Sequence, residues 1–145
     1  MKISKKYLQR HARLLVEIKN QQQRLMGLLE IGGLGSVSFD KIPTTNMPGD
    51  PTGDIAQKII DIQKKLDELR DQEKKEERMI ESKISLLLDP YERQIIRLRY
   101  FDCHSWENIV KIMFSERNDF NEQKDAYQRR VFRIHGRALQ NLLRI

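Results

Sequence analysis

The chain has 145 residues, a formal net charge of +6 and an isoelectric point near 9.5, and only 7% of its residues are aromatic. This length suits one compact domain, or a small domain with an extended arm, and argues against an elaborate enzyme. The basic balance favours acidic partners such as nucleic acids.

Cysteine content and hydropathy limit the kinds of site the chain can form and the compartments in which it can act. Cys103 is the only cysteine, so one chain cannot form an internal disulfide or a multi-cysteine zinc site. No apolar run approaches the roughly 20 residues that cross a bilayer, and the Lys-rich start lacks the apolar stretch of a secretion signal. We therefore expect a cytoplasmic protein without a membrane segment, a metal or a cofactor.

The first 30 residues are predicted to form an amphipathic helix. Apolar residues recur at steps of three and four, with two polar residues in the remaining places of this apolar seam: Ile3, Tyr7, His11, Leu14, Ile18, Gln21, Leu25 and Leu28. Residues 31–53 then hold five of the seven glycines and three of the four prolines, so they are predicted to be a linker or loose loop without helix.

A second apolar seam follows Asp54. It comprises Ile55, Ile59, Ile62, Leu66 and Leu69, is interrupted by Glu73 and Glu76, and resumes at Ile80, Ile84, Leu87 and Leu88. Two such helices, of about 27 and 34 residues, must bury their apolar sides, and the long connection lets them fold back antiparallel. The same seams could instead pair between two chains and form a homodimer, and the sequence leaves both pairings open.

A new unit is predicted to begin at Asp89. Asp89, Pro90 and Glu92 have the order of an N-cap, a first-turn proline and a capping-box acid. Residues 95–101 fill this helix, residues 102–104 read as a turn, and Ser105 caps the next helix. The predicted fold is all-α: an antiparallel coiled-coil hairpin over residues 1–88, with its linker at 31–53, and a three-helix helix-turn-helix unit over residues 89–145.

The last helix carries the candidate functional residues. Val131, Ile134, Ala138 and Leu142 have core spacing, and the opposite face presents Gln128, Arg129, Phe132, Arg133, Gly136 and Arg137. Residues 126–145 contain five arginines and no acid. Arginine can pair with guanine through two hydrogen bonds, glutamine can do so with adenine, and neighbouring arginines can neutralise phosphates. A merely solvated basic helix is the plain alternative.

Two stretches, DPYERQIIRLRYFDCHSWENIVKIM (89–113) and RRVFRIHGRALQNLLR (129–144), resemble region four of bacterial sigma factors. They are most similar to the sigma-like regulators of bacteriophages and prophages, the ArpU-like group. The segment MPGDPTGDIAQKI (47–59) also resembles the stretch that precedes the second coil helix in such phage proteins.

The resemblance implies a transcription activator of the late-gene kind that contacts double-stranded promoter DNA, with RNA polymerase as a second candidate partner. Gln128, Arg129 and Arg133 match base-facing positions, and Arg130 and Arg137 match positions near the DNA backbone. The chain departs from the pattern between Phe114 and Tyr127, where the turn of the helix-turn-helix is about ten residues longer than usual. The recognition helix could begin early, near Asn121, or follow a longer loop.

Two other classes of function also fit a helical coil joined to a helix-turn-helix. An interaction or adaptor protein would use the coiled coil as its working part, and a DNA-packaging subunit of the small terminase kind also joins a helix-turn-helix to a coil. The spacing of a nucleophile, a base and an orienting residue is not recognisable, so we do not expect an enzyme. Cys103 with His104 offers too few ligands for a metal, and His135 and Trp106 are predicted to be packing residues.

Overall fold

The computed structural model describes residues 1–31 and 51–145, and these residues form helices and turns with no strand. The elements are α1 (Lys5–Ile31), α2 (Pro51–Ile84), α3 (Pro90–Ile96), a π-helical turn (Arg97–Phe101), α4 (Trp106–Phe114) and α5 (Lys124–Arg144). The predicted all-α class is confirmed, and the two long helices have 27 and 34 residues. Among the described helices, none is both long enough and apolar enough to cross a membrane.

The ends of the predicted linker differ from expectation. Residues 32–50 lie outside the described residues, but Ile31 ends α1 and residues 51–53 already belong to α2. The prediction that no helix persists through residue 53 is therefore wrong at this end. Proline at the first helical position explains the difference, because its fixed φ suits a helix start and its missing N–H would have no helical partner there.

Contacts divide the chain into two compact units that differ from the predicted hairpin and C-terminal unit. One contains residues 1–13 and 75–145, and the other contains residues 14–74. The boundary expected at Asp89 lies inside the first unit, so the separate folding of residues 89–145 stays a prediction. The two long helices pass through both units.

The unit of residues 14–74 is a pair of helices with one apolar cluster between them. The cluster joins residues of α1 to residues of α2: Ile18, Leu25, Leu29, Ile59, Ile62, Leu66 and Leu69. In this part of α1, Leu29 is buried and Leu28 is only partly buried. The two seams therefore pack against each other within a single chain.

The other unit, residues 1–13 and 75–145, contains two apolar clusters. The first packs α3 and α4 around the front half of α5: Ile95, Ile109, Val110, Phe114, Phe120, Val131 and Ile134. The second packs the start of α1 and the end of α2 around the back half of α5: Ile3, Leu8, Ile80, Ile84, Leu87, Ile96, Tyr100, Ala138 and Leu142. Leu8 lies in this core where the seam had suggested Tyr7, which is partly buried.

Two polar residues, His11 of the first seam and Glu76 of the second, meet inside this unit. His11 Nδ1 lies 3.2 Å from Glu76 Oε2, and Arg10 Nη2 donates to Glu76 Oε1 at 3.2 Å. His11 is fully buried and its ring packs edge-on to Phe101, with the ring centroids 5.4 Å apart. The start of α1 thus contacts the end of α2, which is the pairing expected of an antiparallel hairpin.

We expect Glu76→Ala to lower the free energy of unfolding by about 1–3 kcal/mol, because it removes the acceptor of a buried hydrogen bond. Glu77→Ala is the matched control, since Glu77 is exposed and its loss should change stability by no more than about 0.5 kcal/mol. Urea unfolding of both variants measures the difference. Equal effects of the two substitutions would show that the Glu76 pairing contributes no stability.

Candidate nucleic-acid interface

Two side-chain caps define the helices that support α5. Asp89 Oδ1 accepts from the Tyr91 backbone N–H at 2.9 Å, and Ser105 Oγ accepts from that of Asn108 at 3.2 Å, which confirms both predicted N-caps. Glu92 is buried, and its carboxylate accepts from Asn141 Nδ2 at 3.0 and 3.1 Å. This acid therefore connects α3 to α5.

The helix expected over residues 90–101 ends in a π-helical turn. The Asp102 N–H donates to the Arg97 carbonyl at 3.0 Å, and Cys103 then adopts a left-handed backbone conformation with φ at 55°. A π turn holds one residue more than an α-helical turn, so it shifts the side chains that follow. Here the buried Tyr100 points towards α5, and burial raises the pKa of its hydroxyl.

The long connection between α4 and α5 is folded onto the unit. Phe120 is buried, and its ring lies 6.1 Å from that of Tyr127, which stacks on Phe114 at 4.9 Å. The Tyr127 hydroxyl donates to Asp119, and this hydrogen bond raises the pKa of Tyr127. Because α5 begins at Lys124, the early helix start near Asn121 is wrong and the longer loop is the correct alternative.

The charge changes sign along this part of the chain. Residues 115–125 hold four acids, Glu116, Asp119, Glu122 and Asp125, against Arg117 and Lys124. Beyond Asp125, α5 has arginines and no acid. The positive face of α5 therefore begins near Arg129 and not at the first turn of the helix.

The candidate residues fall into two groups. Gln128, Arg129, Phe132, Arg133 and Arg137 are exposed, whereas Arg130 is half-buried. Within the described residues, Arg129 and Arg133 have no hydrogen bond or ion pair with another side chain. They lie one turn apart on the face opposite Val131 and Ile134, both of which are buried. Gln128 lines the edge of a cavity of about 290 Å³ between α4 and the start of α5.

Arg130 and Arg137 are held by neighbours. The Arg130 guanidinium lies over the rings of Phe114 and Tyr91, 5.0 and 5.7 Å from their centroids. Arg137 lies near two acids at the start of α3, 3.7 Å from an oxygen of Asp89 and 3.9 Å from one of Glu92. Such long, partly exposed ion pairs are weak, so Arg137 can still exchange these partners for a phosphate.

The sequence predicted only part of a group of aromatic residues that lies beside the exposed face of α5. The Trp106 ring packs edge-on to His135 and Phe132, with centroid distances of 4.7 and 5.1 Å. The Arg99 guanidinium covers the same ring at 4.5 Å. The packing roles predicted for Trp106 and His135 are confirmed. Arg99 was missed because the π turn, which has no clear sequence signal, decides the direction of its side chain.

His135 is a buried neutral histidine. Its Nε2 forms a 2.8 Å hydrogen bond with the Tyr100 hydroxyl, and burial, reinforced by the positive charges of Lys5 and Arg99, lowers its pKa from 6.5 to about 4. A protonated ring would be desolvated and repelled there. The contact ties α5 to the π turn through a group that must stay uncharged.

Phe120→Ala should lower the free energy of unfolding by about 3–5 kcal/mol, the usual cost of removing a buried phenylalanine side chain. Asn121→Ala is the control, because the neighbouring Asn121 is exposed and should change stability little. Thermal and urea unfolding of both variants provide the measurement. A Phe120 variant as stable as the parent would mean that the connection does not pack on the unit in solution.

The lowered pKa of His135 predicts a pH dependence of stability. Well above pH 6.5 the ring is neutral in the folded and in the unfolded protein. Between pH 6.5 and about 4 the unfolded chain binds a proton on this ring, whereas the folded chain does not. Stability should therefore fall over this range by up to about 3 kcal/mol from His135. Urea unfolding at pH 7.0 and pH 4.5 should show a smaller loss for His135→Gln than for the parent. The same loss in both proteins would exclude this contribution.

Comparison with known proteins adds no relative. A scan of protein-family models, a search of curated proteins and a search of solved structures each returned no significant match to this chain. The resemblance of residues 89–113 and 129–144 to region four of sigma factors therefore stays a prediction from the sequence.

Proposed function

We propose that the protein is a sequence-specific transcription regulator that reads double-stranded DNA with α5. One observation carries this proposal: Arg129 and Arg133 are exposed and have no partner within the described residues, on a helix whose opposite face is buried from Val131 to Leu142. Two arginines four residues apart repel each other on a helix. An anionic ligand relieves this repulsion, and the edge of guanine offers both arginines suitable acceptors.

The surroundings of the two arginines fit a major groove. An α-helix with its side chains is about 10–12 Å across, which matches the groove width of about 12 Å. Phe132 lies on the same exposed face and can contact a thymine methyl group, whereas Gln128 can pair with adenine. The acids before residue 126 would be repelled by phosphates, so we expect the middle of α5, not its first turn, to enter the groove.

Arg130 and Arg137 have a different role in this proposal. Both lie to one side of the Arg129 and Arg133 face, and both are restrained by neighbouring residues. Arg130, held over two rings, loses less conformational entropy when it binds, whereas Arg137 would exchange its weak ion pairs for a phosphate. We assign them to phosphates of one DNA strand, which position α5 without selecting a base.

The likeness to sigma factor region four supports a more specific version of the proposal. In this version the protein is a cytoplasmic phage or prophage late-gene activator, without catalytic activity, that contacts RNA polymerase as well as DNA. The seams of α1 and α2 are filled within one chain, so the proposal does not require a homodimer through the coil.

The test begins by selecting bound duplexes from a random DNA pool. On the selected duplex, Arg133→Ala should lose about 1–3 kcal/mol of binding free energy and relax the preference at one base position. Arg129→Ala should relax a different position for the same reason. Arg70→Ala is the matched control, because Arg70 is exposed in α2 and its loss removes the same charge. Affinities are measured by fluorescence anisotropy, and thermal unfolding verifies the fold.

The proposal fails if folded Arg129→Ala and Arg133→Ala proteins bind the selected duplex as tightly and as selectively as the parent. Absence of any selected sequence, together with binding of a protein through the coil, would favour an interaction protein. Large rings or other high oligomers in light scattering would favour a DNA-packaging subunit.

A further inference from the structure

We propose that the start of α1 and the π turn form a second part of the DNA interface, in which Lys2, Lys5 and Arg99 bind phosphates beside α5. This inference rests on the proposed function and extends it. It assigns a nucleic-acid role to residues at the start of the predicted coil segment.

Packing places the start of α1 next to α5. Ile3 and Leu8 are fully buried, and they share one apolar cluster with Ala138 and Leu142 on the back half of α5. Lys2 and Lys5 flank the buried Ile3 and are themselves exposed. Their backbone is therefore anchored to the unit that contains α5, while their charged ends remain in solvent.

Arg99 is held in a fixed position on the same side of α5. Its guanidinium lies over the Trp106 ring, and its Nη1 donates to the His104 carbonyl at 2.9 Å. Trp106 in turn contacts Phe132, which is 44% exposed and belongs to the proposed reading face. A chain of contacts thus leads from Arg99 to the exposed face of α5.

The start of α1 and the π turn carry positive side chains that are not neutralised by ion pairs. The positive charges of Lys5 and Arg99 lower the pKa of His135, in addition to the effect of burial. Both cations therefore lie near this residue of α5. Within the described residues, Lys2 and Lys5 have no ion pair. Arg97 in the π turn forms an ion pair with Glu81, whereas Arg99 has no ion pair within the described part of the chain. Positive groups crowded in this way repel one another, and phosphates would relieve the repulsion.

The helix geometry places these cations opposite the arginines already assigned to phosphates. Successive residues of an α-helix are about 100° apart, so Arg130 and Arg137 lie on one side of the line through Arg129 and Gly136. Phe132 and His135 lie on the other side of that line, towards Arg99 and Lys5. A helix in the major groove has a phosphate strand along each side. One strand would meet Arg130 and Arg137, and the other would meet Lys2, Lys5 and Arg99.

The experiment compares Lys2→Gln/Lys5→Gln with Lys19→Gln/Lys64→Gln. Each double variant loses two positive charges, but Lys19 and Lys64 are exposed in the unit of residues 14–74. Binding is measured from 50 to 300 mM salt with a duplex selected by the parent and with a scrambled duplex of the same length. Each lost phosphate contact reduces the slope of log affinity against log salt by about 0.9 unit.

For Lys2→Gln/Lys5→Gln we expect a slope smaller by about two units, an equal fold-loss of affinity for both duplexes and unchanged base preference. The control should keep the parent slope, and Lys2→Arg/Lys5→Arg should restore it. Equal melting temperatures will show that the fold is intact. If the slope stays at the parent value while Arg129→Ala and Arg133→Ala lose selectivity, the second interface is overturned and the proposed function stands. If the parent selects no duplex, both are overturned.

Discussion

Burial of one face of α5 is the constraint on which the rest of its unit depends. Val131 and Ile134 pack against α3 and α4, whereas Ala138 and Leu142 pack against the start of α1 and the end of α2. Every turn of the middle and last parts of the helix is thus fixed by apolar contacts. Once this face is buried, Arg129 and Arg133 must point outward, so the same packing that stabilises the unit also presents its candidate reading surface.

Matched polar pairs complete this packing. His11 meets Glu76, Tyr100 meets His135, and Glu92 meets Asn141. A buried polar group costs free energy unless a partner is correctly placed, so each pair penalises arrangements in which the helices are shifted or exchanged. The apolar clusters supply most of the stabilisation, and the pairs restrict the unit to one register.

Charge is distributed in accordance with the proposed role. Residues 1–13 and 75–145 contain 19 Lys and Arg against 11 Asp and Glu, a net charge of +8, whereas residues 14–74 contain 8 against 10, a net charge of −2. The basic excess of the whole chain thus belongs to the unit that contains α5. Within that unit, the acids of the connection before α5 place negative charge at one end of the helix, where they would repel the phosphates of the proposed DNA ligand.

The sequence by itself determined the helices, their caps and the apolar face of α5, because these depend on residues within one or two turns of one another. Asp89 and Ser105 cap helices as predicted, and the exposed position of Arg129 and Arg133 followed from the spacing of Val131 and Ile134. Only the tertiary structure decided that His11 pairs with Glu76, that the start of α1 packs on α5, and that a π turn directs Arg99 onto Trp106. These features depend on contacts between residues far apart in the chain, and a periodic pattern shows that a face will be buried without showing what will cover it.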